Sequence, residues 1–231
     1  MTVEFDEAIR EKRNPYEYEI YHFLKSKGIQ IPEHYVFSSE EEVERGLSKL
    51  TNSRKYVVKV ISPKIIHKSD QQGVLLGISK SELVNTYEKM ENRFANLEFK
   101  GVMVTPFVDQ GVDLFVGSSI DETFGRLLVF GIGGIFVEII KDVVFAKPPI
   151  NKNEALNMVN NLKYKQLLSG VRGLSNVKIE SLTSFLVNFS RIIAEFDTKI
   201  SELDLNPIRC IDDAIIPLDA RLILNMQHHN K

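Results

Sequence analysis

Glu202-Leu203-Asp204-Leu205-Asn206-Pro207 alternates oxygen-bearing side chains with leucines. A strand here puts Glu202, Asp204 and Asn206 on one face and both leucines on the other. Far upstream, Tyr56-Val57-Val58-Lys59-Val60-Ile61 is a β-branched, apolar run interrupted by one lysine. It leads into Ser62-Pro63-Lys64-Ile65-Ile66-His67-Lys68-Ser69-Asp70, which sets a histidine in a polar loop. A lysine for phosphate, oxygens for a hard cation and an imidazole able to hold a phosphoryl group form one coherent set. The set points to ATP–Mg²⁺ chemistry.

The 231 residues suffice for one large domain or two small lobes. With 43% hydrophobic and 26% charged residues, the composition is that of an ordinary globular protein. A net charge of -2 gives no reason to expect nucleic acid or an anionic membrane as partner. No apolar run approaches the roughly 20 residues that span a bilayer, and the acidic, polar start does not read as a signal peptide. The single cysteine, Cys210, excludes an internal disulfide and makes the cytoplasm the expected compartment.

Helical spacing predicts a helix over 15–27 ended by Gly28, and a second from Ser39 and Glu42 to about residue 50. A polar helix is expected over 81–96. From residue 101 four strand-like runs follow, at 101–104, 113–117, 126–130 and 135–139, the second and third joined as a hairpin. Asn151 and Glu154 open another helix. Ile179, Leu182, Phe185, Leu186, Phe189, Ile192, Ile193 and Phe196 give the next one a core-facing stripe. Strands near 202–206 and 221–224 close the chain, joined through 211–219. The class is α+β, with helices grouped against largely antiparallel sheets. The change of texture divides an N-terminal lobe, 1–108, from a C-terminal lobe, 109–231.

Each candidate has a plainer alternative. Lys59 reads either as a surface lysine on a half-buried strand or as a phosphate ligand facing a cleft. His67 reads as a solvated loop residue or as a phosphoryl carrier. Gly131-Ile132-Gly133-Gly134 reads as a tight turn or as a close backbone approach to phosphate, with Glu138 pointing into the same space. Its spacing is not the dinucleotide fingerprint. Arg172, between Gly170 and Gly173, reads as a surface arginine or a bidentate phosphate clamp. Glu202, Asp204, Asn206 and Asp219 are the strongest set. If the last two strands pair, Asn206 and Asp219 meet at adjacent ends and offer Mg²⁺ part of its oxygen shell.

Taken in order, these stretches resemble the beta subunit of ADP-forming acetyl-CoA synthetase, an archaeal-type enzyme of the ATP-grasp superfamily. The resemblance runs through Asn14-Pro15-Tyr16-Glu17-Tyr18-Glu19, Val58-Lys59-Val60-Ile61-Ser62-Pro63, His67-Lys68-Ser69-Asp70, Phe130-Gly131-Ile132-Gly133-Gly134, Leu168-Ser169-Gly170-Val171-Arg172-Gly173 and the Glu202–Pro207 stretch. It implies an ATP-grasp fold of two lobes. It further implies Lys59, Phe107, Asp113, Gly133, Gly134 and Glu138 at the ATP/ADP site, Asn206 and Asp219 on Mg²⁺, and His67 and Arg172 as catalytic. His67 would relay a phosphoryl group to a phosphohistidine on a CoA-binding alpha subunit. Overall the family interconverts acyl-CoA, ADP and phosphate with acid, ATP and CoA. The chain departs from the usual pattern at Thr105-Pro106, at Asp113 (glutamate is usual) and at Ala146 (arginine is usual). Pro106 has no N–H to donate, so contacts at the adenine hinge must differ. Two alternatives stand beside this reading: a non-catalytic ATP-grasp subunit that binds an alpha partner, and a stand-alone carboxylate ligase.

Overall fold

A computed structural model describes all residues except 1–4, 66–67, 69–70, 135–141, 171–175, 197–199 and 226–231. The chain begins with two helices, α1 (Asp6–Arg10) and α2 (Glu17–Ser26). The Glu19 carboxylate reaches back to accept the Tyr16 N–H at 2.6 Å and also receives Arg13 at 2.7 and 2.9 Å. The acidic half of the Asn14–Glu19 motif is therefore a helix start signal.

Residues 32–109 form one of two units. Its sheet runs β1 (Tyr35–Phe37), β4 (Gly101–Pro106), β2 (Tyr56–Ile61), β3 (Val74–Ile78), with every neighbour antiparallel. Val58, Val60, Val102 and Val104 join Leu83, Tyr87, Met90 and Phe94 of α4 (Leu83–Phe94) and Val43 of α3 (Glu40–Gly46) in one apolar core. Ser39 caps α3 as its sequence predicts, accepting the Glu42 N–H at 3.2 Å; the returning Glu42 carboxylate takes Ser38 N–H at 2.7 Å. The short strand β1 has no counterpart in the sequence reading.

The second unit comprises residues 1–31 and 110–231. Its sheet order is β10 (Ala220–Leu224), β8 (Ile200–Ile211), β5 (Val112–Asp121), β6 (Gly125–Ile132), β7 (Val143–Ala146), with β9 (Ala214–Pro217) on β8. These pairings too are antiparallel. α5 (Lys152–Asn160) opens on the expected box: Asn151 Oδ1 accepts from Glu154 N–H at 3.0 Å, and Glu154 answers Asn151 N–H at 2.7 Å. Along α6 (Ile179–Ala194), Leu182, Leu186, Phe189 and Ile193 are fully buried with Leu114, Val116, Leu203, Leu205 and Ile208 of the sheet. Among the described residues, no helix is long and apolar enough to cross a membrane.

Two expectations change. Residues 1–31, expected with the N-terminal lobe, belong to the unit of β5–β10. The reason is specific bonding: Asn14 Oδ1 accepts the Leu224 N–H at 3.0 Å, Asn188 donates to the Lys27 carbonyl at 3.1 Å, and the Phe23 ring lies 6.1 Å from that of Phe196. The strand expected at 202–206 runs on through Pro207 to Ile211 and turns back as β9, because a bulge absorbs the proline. The run at 135–139 lies outside the described residues, and β7, unread in the sequence, pairs with β6 beyond it.

Candidate functional site

In the 32–109 unit, Lys59 sits on the central strand β2, opposite Val74 of β3 and Met103 of β4, and is only 4% exposed. Its neighbours Val58 and Val60 face the core, so alternation turns Lys59 to the other face of the sheet. A surface lysine is thereby excluded. A buried ammonium carries a desolvation cost that only specific electrostatic partners offset.

The ends of the loop after β2 are fixed. Ser62 Oγ donates to the Leu97 carbonyl and accepts the Lys64 N–H at 3.1 Å. Gly73 N–H donates to the Lys68 carbonyl at 2.6 Å and its carbonyl takes the Val60 N–H at 2.9 Å. A Cβ at Gly73 would lie 2.7 Å from Val60 Cγ1, which explains the glycine at the loop's return. His67 lies outside the described residues, as do Glu138 and Arg172. Phe107, just past β4, is tied by its N–H to the Lys55 carbonyl at 2.9 Å, while Pro106 pairs opposite Tyr56.

In the larger unit, the polar face of β8 is built as the alternation predicts: Leu203 and Leu205 are fully buried, Glu202, Asp204 and Asn206 partly exposed. Their roles differ. Arg221 of β10, opposite Asp204, bonds Glu202 at 3.1 Å and Asp204 at 2.9 Å. The glycine at 117 makes room for this pair, since a Cβ there would come 2.5 Å from Asp204 Oδ1. Glu202 and Asp204 thus belong to an ion triad. Burial raises the Asp204 carboxyl above its ordinary value, with Arg221 opposing and Glu202 reinforcing. The folded state therefore holds that proton more tightly than the unfolded chain. Asp204's stabilising share is complete below its unfolded value and is lost as pH climbs through the raised one. Replacing Arg221 by methionine is expected to cost about 1–2 kcal/mol at neutral pH, because two half-buried carboxylates then face each other. Thermal melts across pH should show that deficit shrinking as the solution is acidified into the carboxylate range.

Asn206 and Asp219 do come together. Asn206 N–H donates to the Asp219 carbonyl at 3.2 Å and Leu218 N–H to the Pro207 carbonyl at 2.8 Å, locking the two strand ends side by side. Asn206 Oδ1 accepts the Gly134 N–H at 3.2 Å, which brings the glycine turn to the same place. Gly133 is packed on β5: its N–H donates to the Asp113 carbonyl at 2.9 Å, and any Cβ would overlap the Leu114 carbonyl group. Gly134 has φ +68°, a left-handed conformation natural to glycine, with Asp113 Oδ2 3.2 Å from where its Cβ would stand. The glycine pair is thus both a tight turn and a site of bare backbone.

Two groups at this site escaped the sequence reading. Tyr21, fully buried on α2, places its hydroxyl 2.8 Å from Glu17 Oε1 and 3.3 Å from the Pro217 carbonyl, backing the turn that carries Asp219. Burial, with the Glu17 and Asp219 carboxylates nearby, holds that phenol well above its ordinary value, so it stays a neutral donor. Arg209 is the second. On β8, Asn206 and Pro207 together oppose the single residue Phe115, since Leu114 pairs with Ile208 and Val116 with Leu205. This bulge reverses the alternation: Ile208 and Cys210 become the buried pair, and Arg209 joins the polar face of Asn206. There it grips Asp113, Nε to Oδ1 at 2.5 Å and Nη2 to Oδ2 at 3.2 Å.

Asn206 and Asp219 suit Mg²⁺, being hard oxygen donors, one neutral and one anionic, at rigid strand ends. Among the described residues, no group of three or more His, Cys, Asp or Glu side chains could hold a metal ion. The remaining ligands would come from water and phosphate oxygens.

Two units, each built on an antiparallel sheet packed with helices, give the α+β class read from the sequence. An ATP-grasp domain family profile matches residues 7–224. The beta subunit of acetate–CoA ligase [ADP-forming] I from Pyrococcus furiosus is 36% identical over 224 residues, with 95% of each chain covered. Among solved structures, dinucleotide-forming acetyl-coenzyme A synthetase 1 of Ca. Korarchaeum cryptofilum, in complex with coenzyme A and Ca-AMPCP, is 32% identical. It covers 97% of this chain and 100% of its own, with TM-score 0.88. The same enzyme with coenzyme A and Mg-AMPPCP has its phosphohistidine segment pointing towards the nucleotide site; it matches with 32% identity, coverage of 96% and 100%, and TM-score 0.78. The chain belongs to the ATP-grasp family, with the beta subunits of ADP-forming acetate–CoA ligases.

Proposed function

We propose that this chain is the nucleotide-binding beta subunit of an ADP-forming acyl-CoA synthetase and works with a CoA-binding alpha subunit. The observation that carries the reading is the meeting of Gly134, Asn206 and Asp219 at one corner of the β5–β10 unit, in a chain related over its length to such subunits. Asn206 and Asp219 would hold Mg²⁺, which would offset phosphate charge. Lys59, Phe107, Asp113, Gly133, Gly134 and Glu138 form the ADP/ATP site. His67 relays the phosphoryl group between the nucleotide and the partner's phosphohistidine, and Arg172 is the second catalytic residue. Towards ATP, the P–N bond of the phosphorylated imidazole breaks as a β-phosphate oxygen of ADP bonds to phosphorus, and the imidazole regains its lone pair. Such in-line transfer asks the protein mainly for positioning and charge neutralisation, the role of the buried Lys59.

The test is co-expression with an alpha-type partner, followed by CoA- and acid-dependent phosphate release from ATP. His67→Ala and Asn206→Ala should each lose at least about 100-fold in turnover, as loss of a nucleophile or of metal positioning does. Activity indifferent to His67 would instead mark a stand-alone carboxylate ligase. Tight association without turnover would mark a binding subunit only.

A further inference from the structure

The Asp113–Arg209 pair is built more firmly than a surface ion pair. The residues stand directly opposite across β5 and β8, with fully buried Leu114–Ile208 as the next pair along. The guanidinium fork engages both carboxylate oxygens, and the two side chains, Arg209 and Asp113, are only 16% and 32% exposed. Nη1 also reaches the Gln110 carbonyl at 3.4 Å. Bidentate pairing of this kind fixes orientation as well as charge.

Its location gives the pair a meaning. The backbone of Asp113 takes the Gly133 N–H, its carboxylate borders Gly134, and Gly134 in turn donates to Asn206. A carboxylate at that corner would repel a polyphosphate unless its charge were offset, because like charges a few ångströms apart in a partly buried site interact strongly. We propose that Arg209 is a charge-compensating positioning residue of the nucleotide site, holding Asp113 as a neutral pair beside the Gly133–Gly134 turn so that a nucleoside di- or triphosphate can approach. The inference rests on the nucleotide reading above and adds a residue to it.

A cross-strand tie and a charge compensator predict opposite signs. If the pair only fastens β5 to β8, Arg209→Met and Asp113→Asn both lower stability and both weaken nucleotide binding. If Arg209 offsets Asp113, Arg209→Met weakens binding whereas Asp113→Asn, which leaves the cation in place, tightens it. Calorimetric titration of the full-length chain with ADP, with and without Mg²⁺, decides between them. The expectation is about a tenfold loss for Arg209→Met, severalfold tighter binding for Asp113→Asn, and near wild-type affinity for the double variant. These differences should shrink as salt rises. Weaker binding in both single variants would overturn the inference while leaving the nucleotide reading intact; a wild-type chain that binds no nucleotide would overturn both. Should Arg209→Met fail to fold, the sign of the Asp113→Asn effect is sufficient to separate a compensator from a tie.

Discussion

Replacing Lys59 by methionine is expected to reduce nucleotide affinity by about 100-fold or more, near 2.7 kcal/mol. Methionine keeps the unbranched stem on β2, and the ladder from β2 to β3 and β4 is made by backbone, so the sheet register should survive. What disappears is the ammonium, a buried cation on the face opposite the core. If phosphate meets this ammonium, the attraction is strong because Coulomb forces strengthen as water is removed. Titration of the isolated chain with ADP, alongside circular dichroism to verify the fold, makes the measurement. Unchanged affinity in a folded variant would remove Lys59 from the nucleotide site.

Gly133→Ala is expected to be strongly destabilising for one added methyl group. The added Cβ would overlap the backbone carbonyl of Leu114, and backbone cannot rotate away as a side chain can. The same strand segment accepts the Gly133 N–H, so relief requires the turn and β5 to part. The cost should be about 3 kcal/mol or more, seen as a melting temperature lowered by several degrees or as insoluble protein. Gly125→Ala is the control: it has positive φ, +74°, but its Cβ would meet nothing within 4 Å, so only about 1 kcal/mol of backbone strain is expected. Equal effects at the two glycines would mean that the Gly133 turn yields easily and that its close packing on β5 is not what matters.

Much of this molecule is legible in its residues alone. Ser39 and Asn151 announce helices α3 and α5 because a cap is a local hydrogen bond between residues two or three apart. The stripe from Leu182 to Ile193 announces a buried helix face, and alternation along β8 announces both its apolar and its polar side. The meeting of Asn206 with Asp219 follows from the pairing of β8 with β10. Glu202 and Asp204 look like equal candidates for a cation because their type and spacing match those of Asn206. Only Arg221, arriving from β10, turns them into an ion triad.

From residues alone come most of the helices and strands (though neither β1 nor β7), the apolar face of each, and the residues that could serve phosphate and a hard cation. All of these depend on spacing within a few residues. Tertiary structure alone decided that residues 1–31 join the unit of β5–β10, since the bonds from Asn14 to Leu224 and from Asn188 to Lys27 join positions more than 150 residues apart. It alone placed Arg209 on the polar face. An unbroken strand would have put position 209 in phase with Leu203 and Leu205, and the phase is reversed by a bulge that exists only once β8 is laid against β5.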